Sequence, residues 1–251
     1  MKAAIFMLWC VSIGITAIQS VEAETTALPT NKERGDYVVL LHGMGRTAWS
    51  MKRLEHHLSK RGYRVINATY RSRKVSAETL AEQFLGPLLR ENIHDPEAKV
   101  NFVTHSLGGI IVRQYLSGHV LENAGRVVMM APPNRGTEII DRLRANPISR
   151  RFLGVASKEL GTRVDDLPQR LGPIHFECGV IAGDRSLNPL LSSMLSGPND
   201  GKVTVESARL DGMSDFLILH SGHTWLMWRE RTLRQIDCFL ESGHFDHRDD
   251  T

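Results

Sequence analysis

Short runs of apolar and β-branched residues alternate along this chain with segments in which apolar residues recur every three or four positions. The first pattern is typical of buried strands and the second of helices. The predicted strands cover residues 37–41, 63–67, 99–104, 126–130, 176–181 and 216–219. The predicted helices cover residues 48–60, 77–91, 107–116 and 224–239, and Ser76 is the expected N-cap of the second.

This alternation of strands and helices predicts the α/β fold class. We expect a mostly parallel sheet of about six strands, with helices covering both of its faces. The domain is expected to span residues 36–241 and to be followed by a disordered polar tail at 242–251. Ligands of such sheets bind beyond the carboxyl ends of the strands, so chemically capable residues should follow strands.

One such residue is Ser106, which lies between the third predicted strand and the next helix in the sequence THSLG at 104–108. A sharp strand-to-helix turn of this kind exposes a serine hydroxyl as a nucleophile. Gly108 meets the need for a small residue, whereas Thr104 stands where the motif usually has glycine. A serine that only caps a helix is the alternative interpretation.

The first strand ends in the sequence LHGMG at 41–45. A glycine-flanked turn there would direct the backbone N–H of Met44 into a site. An oxyanion hole needs two such donors, and the N–H of Leu107 is the expected second one.

The last strand is followed by the sequence HSGHT at 220–224. His223 is the predicted general base because Gly222 allows the backbone to turn it inward, and His220 is the alternative. The acid of such a site lies between the serine and the histidine in the chain, and Asp200, on the turn at 198–203, is the predicted acid. The alternatives to Asp200 are Asp184, Asp211 and Asp215.

These motifs together resemble those of the α/β-hydrolase superfamily, and within it those of small bacterial lipases and esterases. The resemblance covers residues 36–239. It implies cleavage of an ester through an acyl-serine on Ser106, with His223 as base, Asp200 orienting the imidazole, and no cofactor. The motifs do not identify the substrate. An acyltransferase or thioesterase with the same triad, or a degenerate lipid-binding protein of this fold, remain alternatives.

The long connection at residues 134–175 is expected to be a helical insertion, which in this superfamily resembles a cap over the acyl pocket. Its helical stretches are predicted at 138–144 and 150–160. The insertion carries four basic residues: Arg142, Arg144, Arg150 and Arg151. They suit either an anionic lipid surface or a solvated helix face. Apolar residues expected to line the pocket or to belong to the core are Met44, Leu107, Leu190, Leu191, Met194 and Leu195.

Residues 1–23 have the pattern of a secretory signal peptide, with cleavage expected after Ala23 and a flexible lead-in at 24–35. We therefore expect an exported protein, in which Cys178 and Cys238 form a disulfide or remain free thiols. The net charge of +3 without a basic, aromatic-rich stripe argues against nucleic-acid binding. No metal-ligand spacing is present, and a monomer that acts on a small-molecule or lipid ester is expected.

Overall fold

A six-stranded, fully parallel sheet organises the chain, as described by a computed structural model for residues 35–151 and 153–249. The strand order is β2-β1-β3-β4-β5-β6. The strands are β1 (Tyr37–Leu41), β2 (Arg64–Asn67), β3 (Val100–His105), β4 (Ala124–Met130), β5 (Cys178–Gly183) and β6 (Asp215–Leu219). All six predicted strands are present, and the predicted α/β fold class is confirmed.

Helices flank this sheet, and α-helices overlap all four of the helical segments predicted at 48–60, 77–91, 107–116 and 224–239. The α-helices are α1 (Lys52–Lys60), α2 (Ala77–Leu80), α3 (Gly86–Asn92), α4 (Leu107–Gly118), α5 (Glu138–Ala145), α6 (Pro147–Arg150), α7 (Leu167–Arg170), α8 (Pro189–Ser192), α9 (Val205–Ala208) and α10 (Glu230–Ser242). A π-helical turn, Ala81–Leu85, joins α2 to α3, and 3-10 turns precede α1 (Ala48–Met51) and α10 (Trp225–Trp228). Ser76 caps α2 as predicted, because its hydroxyl accepts the N–H of Thr79.

The predicted helix at 150–160 is wrong. Among its described residues, that segment contains only the end of α6 and a 3-10 turn, Ala156–Glu159. The backbone between them bonds elsewhere, since the Val155 N–H donates to the Arg73 carbonyl at 2.9 Å. Gly154 also lies so close to Arg73 that an added Cβ would be 3.0 Å from the Arg73 Cα. This tertiary contact replaces the intrahelical hydrogen bonds that the apolar spacing suggests.

The two faces of the sheet carry separate apolar layers. Alternate residues of one strand enter different layers, as Phe102 and Val103 do on β3. One layer packs the sheet against α4 and the segment from α2 to α3, and the other packs it against α1 and α10. Strands buried on both faces read as continuous apolar runs, which is why the sequence indicates them clearly.

The same alternation decides the state of Cys178 and Cys238, both of which are free thiols. The Cys178 side chain enters the layer that contains α4, whereas α10, which carries Cys238, packs on the opposite face of the sheet. The sheet therefore separates the two sulfur atoms, and the disulfide alternative is wrong. Burial raises the pKa of the Cys178 thiol, which keeps it protonated.

The segment after α10 differs from the predicted disordered tail. Phe245 is buried against Phe239, and its N–H donates to the Asp215 carboxylate at 2.7 Å. Gln235 on α10 bonds both the N–H and the carbonyl of Asp246. A single buried aromatic residue thus anchors a segment whose composition is otherwise polar.

The predicted signal peptide at 1–23 and nearly all of the lead-in at 24–35 lie outside the described residues. Among the residues that the structure does describe, no helix is both long and apolar enough to span a bilayer.

Gly179 provides a test of how tightly α10 and the segment after it pack on β5. A Cβ added there would lie 2.5 Å from the Phe239 ring and 2.6 Å from the Phe245 ring. We expect Gly179→Ala to lower the free energy of unfolding by about 1–3 kcal/mol, the usual cost of overpacking. Gly118→Ala at the open end of α4 is the matched control, and it should not destabilise the protein. Equal stability of the two variants in denaturant unfolding would contradict this packing.

Candidate active site

Ser106 lies on a strained turn between β3 and α4. Its φ of 54° and ψ of −120° place a non-glycine residue in a sparsely populated conformation. The Ser106 N–H donates to the Met130 carbonyl at the end of β4, at 2.9 Å. A Cβ on Gly108 would lie 2.4 Å from the Leu41 carbonyl oxygen, so only glycine lets α4 start this close to β1. The predicted sharp turn around the serine is therefore present.

Thr104 departs from the usual glycine without disturbing this turn. Its side chain is fully buried beneath the first turn of α4 and donates to the Val128 carbonyl at 3.4 Å. The Thr104 hydroxyl lies 3.4 Å from the position of a Cβ on Gly109, an ordinary van der Waals distance, so threonine fits beneath this turn.

His223 and Asp200 form a buried pair on the loops that follow β6 and β5. His223 Nδ1 lies 2.8 Å from Asp200 Oδ2, and both residues are about 95% buried. The second carboxylate oxygen accepts the N–H groups of Lys202 and Val203. With Asp200 ionised, Nδ1 carries the proton and Nε2 is left as a free base.

The alternative residues do not join this pair. His220 Nδ1 lies 2.9 Å from Asp184 Oδ1, and the His220 side chain is 69% exposed. Asp211 pairs with Arg135, and Asp215 accepts the Phe245 N–H. His220, the alternative base, and Asp184, one of the alternative acids, thus bond to each other outside the cavity that Ser106 lines.

Ser106 and His223 line one cavity of about 270 Å³ at the carboxyl ends of the strands. The predicted insertion supplies much of its apolar wall, through Ile139, Ile140, Leu143 and Leu160. Of the six apolar residues expected to line it or to be core, Met44 and Leu191 line the cavity, Leu107 and Leu195 are buried, Met194 is half-buried and Leu190 is exposed. No group of three or more His, Cys, Asp or Glu side chains within the described ranges could hold a metal ion.

The loop after β1 closes against the serine. A Cβ on Gly43 would lie 3.2 Å from the Ser106 Cβ, so the backbone of this loop directly adjoins the hydroxyl-bearing residue. Met44 lines the cavity beside Ser106. Leu107 is the first residue of α4, where no preceding helical turn supplies an acceptor for its N–H. The two backbone segments predicted to stabilise an oxyanion therefore flank Ser106.

His105 is a site residue that the sequence did not identify. It is 1% exposed, and its Nε2–H donates to the His223 carbonyl at 2.9 Å, which fixes the loop that carries the base. Burial lowers the pKa of His105 well below its usual range, and His223 lowers it further whenever its own ring is protonated. The residue precedes Ser106 in the motif, but no sequence pattern indicates that it turns towards His223.

Comparison with known proteins agrees with this architecture. The family model described as "Alpha/beta hydrolase family" matches residues 38–249. Comparison with curated protein sequences finds no match.

Three solved structures are similar in fold. Bacillus licheniformis lipase BlEst2 in its mature form is 18% identical, with a TM-score of 0.65 over 84% of this chain and 93% of that chain. The metagenomic carboxyl esterase MGS0156 is 18% identical, with a TM-score of 0.58 over 78% of this chain and 66% of that one. Phospholipase PlaB from Legionella pneumophila is 19% identical, with a TM-score of 0.57 over 69% of this chain and 44% of that chain.

The burial of His105 predicts a pH dependence of stability. An unfolded His105 binds a proton as the pH falls below about 6.5, whereas the buried ring stays neutral. Acidification below about pH 6.5 should therefore lower the free energy of unfolding. The contribution of His105 to this decrease is at most about 1.4 kcal/mol per pH unit.

Two measurements check this expectation. In the folded protein the NMR resonance of His105 Cε1–H should not titrate between about pH 8 and pH 5.5. Urea unfolding across the same range should show a shallower dependence on pH in His105→Gln than in the wild type. Titration of the folded ring near its usual pKa would contradict the buried, neutral state.

Proposed function

Because the chain belongs to the alpha/beta hydrolase family, we propose that it is a serine hydrolase that cleaves carboxylic esters through an acyl-serine. One observation carries the proposal: Ser106, on its strained turn, lines the same cavity as His223, whose ring is bonded to Asp200. This arrangement supplies a nucleophile, a general base and a residue that orients the base.

The reaction follows from these positions. His223 Nε2 removes the proton of the Ser106 hydroxyl as the serine oxygen attacks the ester carbonyl. The backbone N–H groups of Met44 and Leu107 stabilise the resulting oxyanion. His223 then returns the proton to the leaving alcohol, and Asp200 stabilises the imidazolium throughout. Water, activated by His223, attacks the acyl-enzyme and releases the acid.

An apolar acyl group suits this cavity. The insertion contributes four aliphatic side chains to the wall, and Met44 and Leu191 add two more. The similar structures include a lipase and a carboxyl esterase, which agrees with a lipid-like ester as substrate. An acyltransferase or thioesterase would use the same serine chemistry, and it would differ in whether water or another acceptor attacks the acyl-enzyme.

We further propose that the protein is exported after cleavage near Ala23 and acts as a monomer, with peripheral contact to a lipid surface. The apolar run at 3–18 supports export, and exposed Ile148 and Val155 on the insertion support the contact. Arg144 offers little to that surface, because Asp141 and Asp166 neutralise it.

Substitution of the triad is the direct test. A fluorophosphonate probe should label the wild-type protein at Ser106, and Ser106→Ala should abolish labelling. Asp200→Asn, which disfavours the catalytic tautomer of His223, should lower kcat on p-nitrophenyl butyrate by about 10⁴-fold. His223→Ala should lose activity to a comparable extent.

The second carboxylate–histidine pair supplies matched controls. Asp184→Asn and His220→Ala remove the same functional groups from a pair with similar hydrogen-bond geometry outside the cavity. Both should retain wild-type activity and labelling. If the probe does not label the native protein, the binding-protein alternative is supported. If only Asp184→Asn and His220→Ala lose activity, those two residues and not Asp200 and His223 are the catalytic acid and base.

Gly43→Ala tests how closely the oxyanion loop must adjoin Ser106 and His105. The added Cβ would lie 2.8 Å from His105 Nδ1 and 3.2 Å from the Ser106 Cβ, so the loop must shift and carry the Met44 N–H with it. We expect kcat to fall by about 10²–10³-fold, the usual cost of losing one oxyanion donor. Gly118→Ala should have no such effect, and unchanged kcat in Gly43→Ala would exclude this loop from oxyanion binding.

A further inference from the structure

Two cations line the cavity that contains Ser106. Arg46 follows the oxyanion loop and Lys202 follows the acid, and both contribute to the cavity wall beside His223. Among the described residues that line this cavity there is no aspartate or glutamate. The cavity wall thus carries positive charge that no carboxylate of the same wall balances.

Neither cation has a carboxylate ion-pair partner within the described ranges. The Arg46 guanidinium donates to a neutral group, the Thr224 hydroxyl, at 2.8 Å, and neither Arg46 nor Lys202 forms an ion pair there. The charge of Asp200 acts on Lys202 without an ion pair between their side chains, and the two Asp200 oxygens bond His223 and backbone N–H groups. Desolvation and the positive charge of Arg46 lower the pKa of Lys202, and Asp200 opposes this shift only in part, so the two cations act on each other.

The two cations lie near the base, where the alcohol part of an ester must be placed. The leaving alcohol must reach His223 Nε2 to receive its proton. Arg46 bonds to Thr224, the residue after His223, and Lys202 lies two residues after the acid that bonds His223. The aliphatic wall comes from the insertion instead, at Ile139, Ile140 and Leu143. The acyl and alcohol parts of a substrate therefore meet walls of different chemistry.

We propose that this site prefers carboxylic esters whose alcohol part carries an anionic group, phosphate or carboxylate, bound by Arg46 and Lys202. The inference rests on the proposed ester hydrolysis and specifies its substrate class. Arg46 offers several N–H donors in a planar fork, and Lys202 offers a point charge, a combination that suits oxyanions.

Short-chain esters test the preference without a lipid interface. The phosphate pair is 1-butanoylglycerol 3-phosphate and 1-butanoylglycerol, and the carboxylate pair is the butanoyl ester of glycolate and that of glycolamide. In the wild type, we expect kcat/KM for the anionic member of at least one pair to exceed that of the neutral member about tenfold or more, as one charge-assisted hydrogen bond would give. The pair that shows the preference identifies the anion.

Variants then assign the preference to the two cations. Lys202→Met and Arg46→Met should each lower the ratio about threefold to tenfold, and the double variant should bring it close to one. Lys202→Arg should restore most of the ratio. Lys99→Met is the charge-matched control and should keep the wild-type ratio. It removes an exposed lysine just before β3, at the end of the strands opposite the cavity.

The outcomes separate this inference from the proposed function. If neutral esters are hydrolysed by Ser106 but neither pair shows a preference, only the anion site is overturned. The same conclusion follows if the preference survives in the double variant or disappears in Lys99→Met. If no ester is hydrolysed and no fluorophosphonate labelling occurs, the proposed function itself has failed.

Discussion

The close approach of α4 to the end of β1 is the constraint on which the site depends. Gly108 allows the helix to start in contact with the Leu41 carbonyl, and Ser106 adopts a positive φ at the turn that leads into it. Such a conformation costs about 1–3 kcal/mol. Burial of Ile110 and Ile111 on α4, and the pairing of β3 with two neighbours, hold the turn in place.

The Asp200–His223 pair follows from a second close approach, at the neighbouring ends of β5 and β6. Gly183 pairs with Leu219, and a Cβ on Gly183 would lie 2.4 Å from the Ser221 carbonyl oxygen and 2.9 Å from the Asp200 Cβ. The two loops leave the sheet side by side because this position has no side chain. Their backbones then bond directly, through the His223 N–H and the Asp200 carbonyl.

Much of this arrangement could be predicted from the sequence, because parallel strands buried on both faces leave unbroken apolar runs and glycines mark the turns. The order of serine, acid and histidine follows from the same pattern. Contacts between distant segments could not be predicted: Val155 bonds to Arg73 where a helix was expected, and Phe245 anchors the segment expected to be disordered. The separation of Cys178 from α10 likewise depends on which face of a strand each side chain enters.

Because the site is largely buried, additional positive charge near His223 is unfavourable. The Asp200 carboxylate bonds the His223 ring and also accepts two backbone N–H groups. Arg46, Lys202 and His223 all disfavour a proton on His105, so the site already opposes additional positive charge. Protonation of His223 during proton transfer adds such a charge in a poorly solvated place. A negative group on the departing alcohol would offset it at the moment it forms, which links substrate choice to the electrostatics of the proton transfer itself.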